Sequence, residues 1–154
     1  MNETPTILLV DDSENDLLFM RAAFKKAEFN SPLQEVHNGE EAIAYLKGDG
    51  PYGDRDKFPL PAVMLLDLNM PMKNGFDVLN WVRTQQSGLK RLSIIVLTAS
   101  MRPEDIERAF DLGANAFLVK PGTMEDLTGM IRCLRDWLQY NRFPPLDEAV
   151  EGNL

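Results

Sequence analysis

The sequence predicts an α/β fold, a doubly wound parallel sheet wrapped by helices, and three observations carry that prediction. Five short runs rich in Val, Ile and Leu alternate with segments whose apolar residues recur at helical spacing. The middle run, Ala62 to Leu66, is unbroken and closes on Asp67, with Pro71 four residues later, as suits a strand buried on both faces. Four of the five runs end in a polar cluster, and the carboxyl edge of an open α/β sheet is where ligands bind.

The elements follow in chain order. Thr6 to Val10 is a short β-rich run closed by Asp11 and Asp12. Ser13 suits a helix N-cap, and Leu17, Met20, Phe24 and Ala27 form one apolar helical face. Asn30, Ser31 and Pro32 break that helix; Leu33 to Val36 is a weaker strand, and Asn38-Gly39 is a turn signal. A second helix spans Glu40 to Lys47 through Ala42, Ile43 and Leu46. Gly48 to Pro61 is then an excursion of 14 residues, long for a connection between helix and strand.

The strand Ala62 to Asp67 and the turn Met70 to Gly75 lead into a helix marked by Phe76, Leu79, Trp81 and Val82, which frays near Gln85 to Gly88. Leu92 to Leu97 is a buried strand ending in Thr98-Ala99-Ser100. Pro103, Glu104 and Asp105 suit a helix N-terminus, and Gly113 closes that helix. Ala116 to Val119 is the last strand and runs into Lys120-Pro121-Gly122. Thr123 caps a final helix with Leu127, Ile131, Leu134 and Leu138 on one face. Met130, Cys133, Trp137 and Tyr140 make a second stripe beside it, which suits either wide burial against neighbouring elements or a self-association or partner face.

Bulk properties bound the function classes. With 154 residues, 44% apolar and 26% charged, the chain has the profile of one globular domain without a membrane span. Met1 to Pro5 carry no secretory signature and are expected to be a flexible start. The net charge of −8 opposes binding to nucleic acid or anionic membrane and leaves proteins or cations as partners. The sole cysteine, Cys133, suits a reducing cytoplasm. The acidic end from Asp147 to Leu154 is expected to be partly mobile, and the residues after Tyr140 are too few for a DNA-binding output domain.

In a sheet of order 2-1-3-4-5, the first, third, fourth and fifth strands bring Asp11 and Asp12, Asp67 and Asn69, Thr98, and Lys120 to one crevice. Taken singly, each is an ordinary turn residue, cap, strand-end hydroxyl or solvated charge. Three clustered carboxylates repel unless a cation intervenes, and an oxygen-only donor set suits Mg²⁺ better than zinc. A carboxylate held there can attack phosphorus, with Lys120 and the Thr98 hydroxyl stabilising the transferred group. His37 has no second His or Cys beside it and is expected to be structural.

These residues carry a resemblance that extends from about Thr6 to Tyr140: the chain resembles the receiver domain of two-component response regulators. It rests on Leu8-Leu9-Val10-Asp11-Asp12, on Leu65-Leu66-Asp67-Leu68-Asn69-Met70-Pro71 with Asn74-Gly75, on Thr98-Ala99 and on Lys120-Pro121. The resemblance implies a flavodoxin-like (βα)5 fold and a receiver domain over residues 6–141, with an extension over 142–154. It implies that Asp67 accepts a phosphoryl group from a phosphohistidine on a sensor histidine kinase. It further implies that Asp12 and Asp67 bind Mg²⁺ directly, with the Asn69 carbonyl as third protein ligand and Asp11 acting through water. A cis peptide bond before Pro121 would aim Lys120 inward, and a switch would pair Thr98 with Phe117, which, lacking a hydroxyl, signals through packing alone.

More loosely, Gly48 to Tyr52, Leu60-Pro61 and Trp137 to Pro145 resemble single-domain regulators that serve phytochrome-like sensor kinases, several of which dimerise through the last helix and its extension. The leading expectation is a stand-alone cytoplasmic phosphoacceptor rather than an enzyme in the ordinary sense. Alternatives are a phosphorylation-independent scaffold and a phosphorelay intermediate or phosphate sink. An aspartyl-phosphate hydrolase calls for its nucleophile after the first strand with an Asp two positions later, where this chain has Asp11-Asp12-Ser13. A flavin carrier is opposed by the same two carboxylates, which repel a phosphate.

Overall fold

A computed structural model of the chain describes residues 5–146. The flexible start expected for residues 1–5 falls outside them except for Pro5, and so does the tail expected from Asp147 to Leu154. Five strands are observed: β1 (Ile7–Val10), β2 (Leu33–Val36), β3 (Val63–Leu66), β4 (Ser93–Thr98) and β5 (Ala116–Val119). They form one parallel sheet in the order β2-β1-β3-β4-β5, the flavodoxin-like arrangement expected. The helices are α1 (Glu14–Lys26), α2 (Gly39–Lys47), α3 (Gly75–Arg83), α4 (Pro103–Asp111) and α5 (Met124–Tyr140).

The period-2 alternation of the strands divides the core into two layers. Leu8, Val10, Met64, Leu66, Ile94 and Val96 face α2, α3 and α4, whereas Ile7, Leu9, Val63, Leu65, Ile95 and Leu97 face α1 and α5. β1 and β3 are buried on both faces, which explains their unbroken apolar runs.

The helices begin where their caps dictate. Ser13, Asn38, Asn74 and Thr123 each accept a hydrogen bond from the backbone N–H three residues on, and Asn74 with Asp77 completes a capping box. The Asn38-Gly39 turn signal is therefore the start of α2. Where α3 frays, Gly88–Arg91 forms a 3-10 turn.

The long excursion is tied down rather than free. Arg55 donates to the Tyr45 and Leu46 carbonyls at 2.8 Å, satisfying the C-terminus of α2, and Tyr45 Oη donates to the Pro59 carbonyl at 2.7 Å. Burial pushes the Tyr45 phenol up to about 12, so it remains a donor. Tyr45, Tyr52 and Phe58 form an aromatic cluster with centroids 5.1 to 6.0 Å apart.

The second stripe of α5 divides. Met130 is partly buried against the core, whereas Cys133 and Trp137 are exposed and Tyr140 is 82% exposed. Phe143 folds back edge-on against Trp137 at 5.8 Å. Wide burial among the described residues does not account for the stripe. No helix among the described residues is long and apolar enough to cross a membrane.

Gly75 brings the start of α3 against the end of β3: a Cβ there would collide with the Asp67 carbonyl oxygen and lie 2.8 Å from Leu68 Cα. Gly75→Ala is expected to lower stability by about 1–3 kcal/mol, the usual cost of overpacking. Urea unfolding followed by far-UV circular dichroism checks this, and an unchanged midpoint would refute it.

Candidate functional site

The backbone ladder runs one residue past three strands and fixes the site. The Asp11 amide donates to the Val36 carbonyl at 3.2 Å, the Asp67 amide to Val10 at 3.0 Å and the Lys120 amide to Thr98 at 2.8 Å. Since Val10 pairs with Leu66, Asp11 and Asp67 stand abreast immediately beyond those strands. The Ser13 amide donates to Asp11 Oδ1 at 2.9 Å and sets that carboxylate.

Oxygen atoms of Asp11, Asp12 and Asp67 lie within 4.8 Å of one another. Asp11 and Asp67 are buried, while Asp12 is exposed at the mouth. Asn69, also exposed, lines the same crevice as Asp12, alongside Pro71, Phe76 and Arg108. The donors are hard oxygens with an opening to solvent, so these residues fit a Mg²⁺-type cation.

Lys120 reaches into this cluster. Its Nζ donates to Asp11 Oδ2 and to Asp16 Oδ2, each at 2.7 Å, and stands 3.6 Å from Asp67 Oδ2. Burial pulls the ammonium down, but its bonds to Asp11 and Asp16 and the charges of Asp67 and Asp11 outweigh that and hold it above the usual lysine range. Burial likewise pushes Asp11 above the usual carboxylate value, against the lowering effects of Lys120 and the Ser13 amide.

The expected cis bond is not found. The described residues contain no cis peptide, so the bond before Pro121 is trans. For an X–Pro bond trans is the lower-energy isomer by about 0.5–1 kcal/mol, and Lys120 reaches the carboxylates without the other isomer.

Thr98 is fully buried, and its Oγ1 has no hydrogen-bond partner among the described residues. Leaving a buried hydroxyl unpaired costs about 1–3 kcal/mol, so an acceptor brought within reach of Thr98 Oγ1 would recover that cost. Phe117 pairs with Val96 in the ladder and packs partly buried against the layer of α2, α3 and α4. Thr98 continues the alternation of Ile94 and Val96, which places it on that same face of the sheet.

The Ser100 hydroxyl donates to Asp105 Oδ2 at 2.6 Å, and Arg102 clasps the same carboxylate at 3.2 Å; Arg102 and Asp105 line the crevice with Asp12 and Asn69. The His37 ring lies 3.0 Å from Glu14 Oε1 and 3.3 Å from Glu41 Oε1, joining the starts of α1 and α2 as a structural residue would. Asp16 was not singled out by the sequence pattern. Its one signal is position, three residues after the cap of the helix that leaves β1 at the site edge.

Comparison with known proteins agrees with this geometry. Residues 7–132 match the family described as response regulator receiver domain. Response regulator Rcp1 of Synechocystis sp. is 33% identical over 144 residues, covering 93% of this chain and 95% of its own. The crystal structure of its Mn²⁺-bound form has a TM-score of 0.79 at 32% identity over 92% of this chain and 99% of that one. A response regulator in red light signaling of R. palustris gives 0.86 at 34% identity, covering 92% and 99%. The phosphorylated cyanobacterial phytochrome response regulator RcpA gives 0.83 at 29% identity, covering 93% and 100%.

A cation that relieves repulsion among the carboxylates should stabilise the fold by mass action. Asp12→Ala is expected to raise the thermal midpoint of the metal-free protein and to shrink the rise produced by millimolar MgCl₂. Melting curves with and without MgCl₂ read both effects, and an undiminished rise in the variant would remove Asp12 from the cation site.

Proposed function

Because the chain belongs to the response regulator receiver family, we propose that it is a stand-alone response regulator whose Asp67 accepts a phosphoryl group from the phosphohistidine of a sensor histidine kinase. The observation that carries the proposal is the buried Asp67 carboxylate flanked by the Lys120 ammonium, with the unpartnered Thr98 hydroxyl on the next strand of the sheet.

Asp67 Oδ attacks phosphorus, the new P–O bond forms as the P–N bond to imidazole breaks, and the electron pair leaves with the ring nitrogen. Lys120 meets the charge of the transferred group, and the Thr98 hydroxyl donates to one of its oxygens. Asp12, Asp67 and the Asn69 carbonyl would hold Mg²⁺, with Asp11 acting through water. When bound, the cation neutralises carboxylate charge and draws in phosphoryl oxygens.

Movement of Thr98 toward the new group frees space on the face it shares with Phe117, and Phe117 repacks inward. The surface of α4, β5 and α5 changes with it, a population shift biased by local charge. The protein is thus a phosphoacceptor in signalling, with phosphotransfer and slow hydrolysis at its own site, rather than a turnover enzyme.

Similarity to RcpA and to the R. palustris regulator supports a phytochrome-like kinase as donor. The exposed Cys133, Trp137 and Tyr140 support a homodimer through α5 and the extension that follows it. The same reading puts the protein in the cytoplasm, where a lone cysteine stays reduced.

Incubation with Mg²⁺ and acetyl phosphate should add one phosphoryl group to the wild type and none to Asp67→Asn, read by intact mass. No gain in the wild type with Mg²⁺ bound would favour the phosphorylation-independent scaffold. Trp137→Ala is expected to weaken the dimer in sedimentation velocity, and unchanged behaviour would remove α5 from that role.

A further inference from the structure

Lysine carries three N–H donors and no acceptor. The two closest partners of Lys120 Nζ are Asp11 Oδ2 and Asp16 Oδ2 at 2.7 Å, whereas Asp67 Oδ2 at 3.6 Å lies beyond hydrogen-bond distance. The resting ammonium is therefore drawn to the α1 side of the crevice. Asp11 is buried within the three-carboxylate cluster, but Asp16 stands outside it, in the first turn of α1, with its amide bonded to Ser13 Oγ at 3.2 Å. Its carboxylate is 39% exposed and reaches the buried acids only through the ammonium it shares with them.

We propose that Asp16 is a positioning residue that restrains the Lys120 ammonium away from the phosphoacceptor and thereby sets how tightly the site takes a phosphoryl donor. The inference rests on the reading of Asp67 as that acceptor. A phosphoryl anion arriving at Asp67 competes with Asp16 for the same ammonium, and the fixed negative charge of Asp16 also opposes its approach.

Bond making is left as it was. With acetyl phosphate, an Asp67 oxygen bonds to phosphorus, the bond from phosphorus to the acetyl oxygen breaks, and the electron pair departs with acetate. The effect of Asp16 therefore falls on donor affinity and not on the maximal rate.

The test measures the initial rate of phosphoryl gain by intact mass against acetyl phosphate concentration, in Mg²⁺, for the full chain. Asp16→Asn should lower the half-saturating concentration about two- to fivefold, the scale of a half-exposed ion pair, with the maximal rate unchanged. Asp16→Glu, which restores the charge, should return the half-saturating concentration to the wild-type value.

A half-saturating concentration that is unchanged or raised in Asp16→Asn overturns the proposal. So does an Asp16→Glu protein that behaves like Asp16→Asn, because the charge would then not be what matters. A wild type that gains no phosphoryl group refutes the Asp67 reading and this one with it. A wild type that loads while Asp16→Asn matches it refutes the Asp16 role alone.

Discussion

Three backbone hydrogen bonds just past the strand ends determine the rest of the site. The amides of Asp11, Asp67 and Lys120 each continue a parallel ladder by one residue, so the sheet's own register aligns the functional side chains. In a strand, a slip of one residue sends every side chain to the opposite face. Asp11 and Asp67 follow the alternation of Leu9 and Leu65 toward α1 and α5, and Lys120 follows Leu118 on the same face. Thr98 and Phe117 belong to the other face, with α2, α3 and α4. The acidic cluster with Lys120 and the Thr98–Phe117 pair thus lie on opposite faces of the sheet, and Thr98, at the end of β4, joins them through the bond its carbonyl accepts from the Lys120 amide.

The balance of charge in the crevice follows from that alignment. Asp11 and Asp67, brought abreast, and Asp12 at the mouth repel one another, and Lys120 offsets the repulsion at the cost of burying its own ammonium. Its bonds to Asp11 and Asp16 keep it charged, while Thr98 holds a donor in reserve. Gly75 contributes by its lack of a side chain, because only a residue without Cβ lets α3 begin against the Asp67 carbonyl.

Much of this was legible in the sequence because its signals are local. Apolar runs closed by Asp11, Asp67, Thr98 and Lys120 mark both the strands and the edge where these polar residues gather, and the Ser13 and Thr123 caps fix two helix starts. What was not legible depends on long-range geometry. Asp16 meets Lys120 across 104 positions of sequence, and nothing near Asp16 announces that pairing. The anchoring of residues 48–61 rests on Arg55 finding the carbonyls of α2, which a Gly- and Pro-rich composition conceals. The bond before Pro121 was expected from resemblance rather than from any residue of this chain, and it differs. The second stripe of α5 was visible, but only the fold shows that Cys133, Trp137 and Tyr140 stay outside the core.

The shared grip on Lys120 has a thermodynamic corollary. A cation drawn to Asp11 would loosen that carboxylate's hold on the ammonium, and an anion drawn to the ammonium would loosen its hold on Asp11. Both ligands would displace one and the same bond, so the arrival of either would strengthen the binding of the other. By linkage the two enhancements are equal in factor, whatever the order of arrival. A cation and an anion taken up in this crevice would therefore be coupled through the Lys120–Asp11 contact, one of the two short bonds that hold the ammonium.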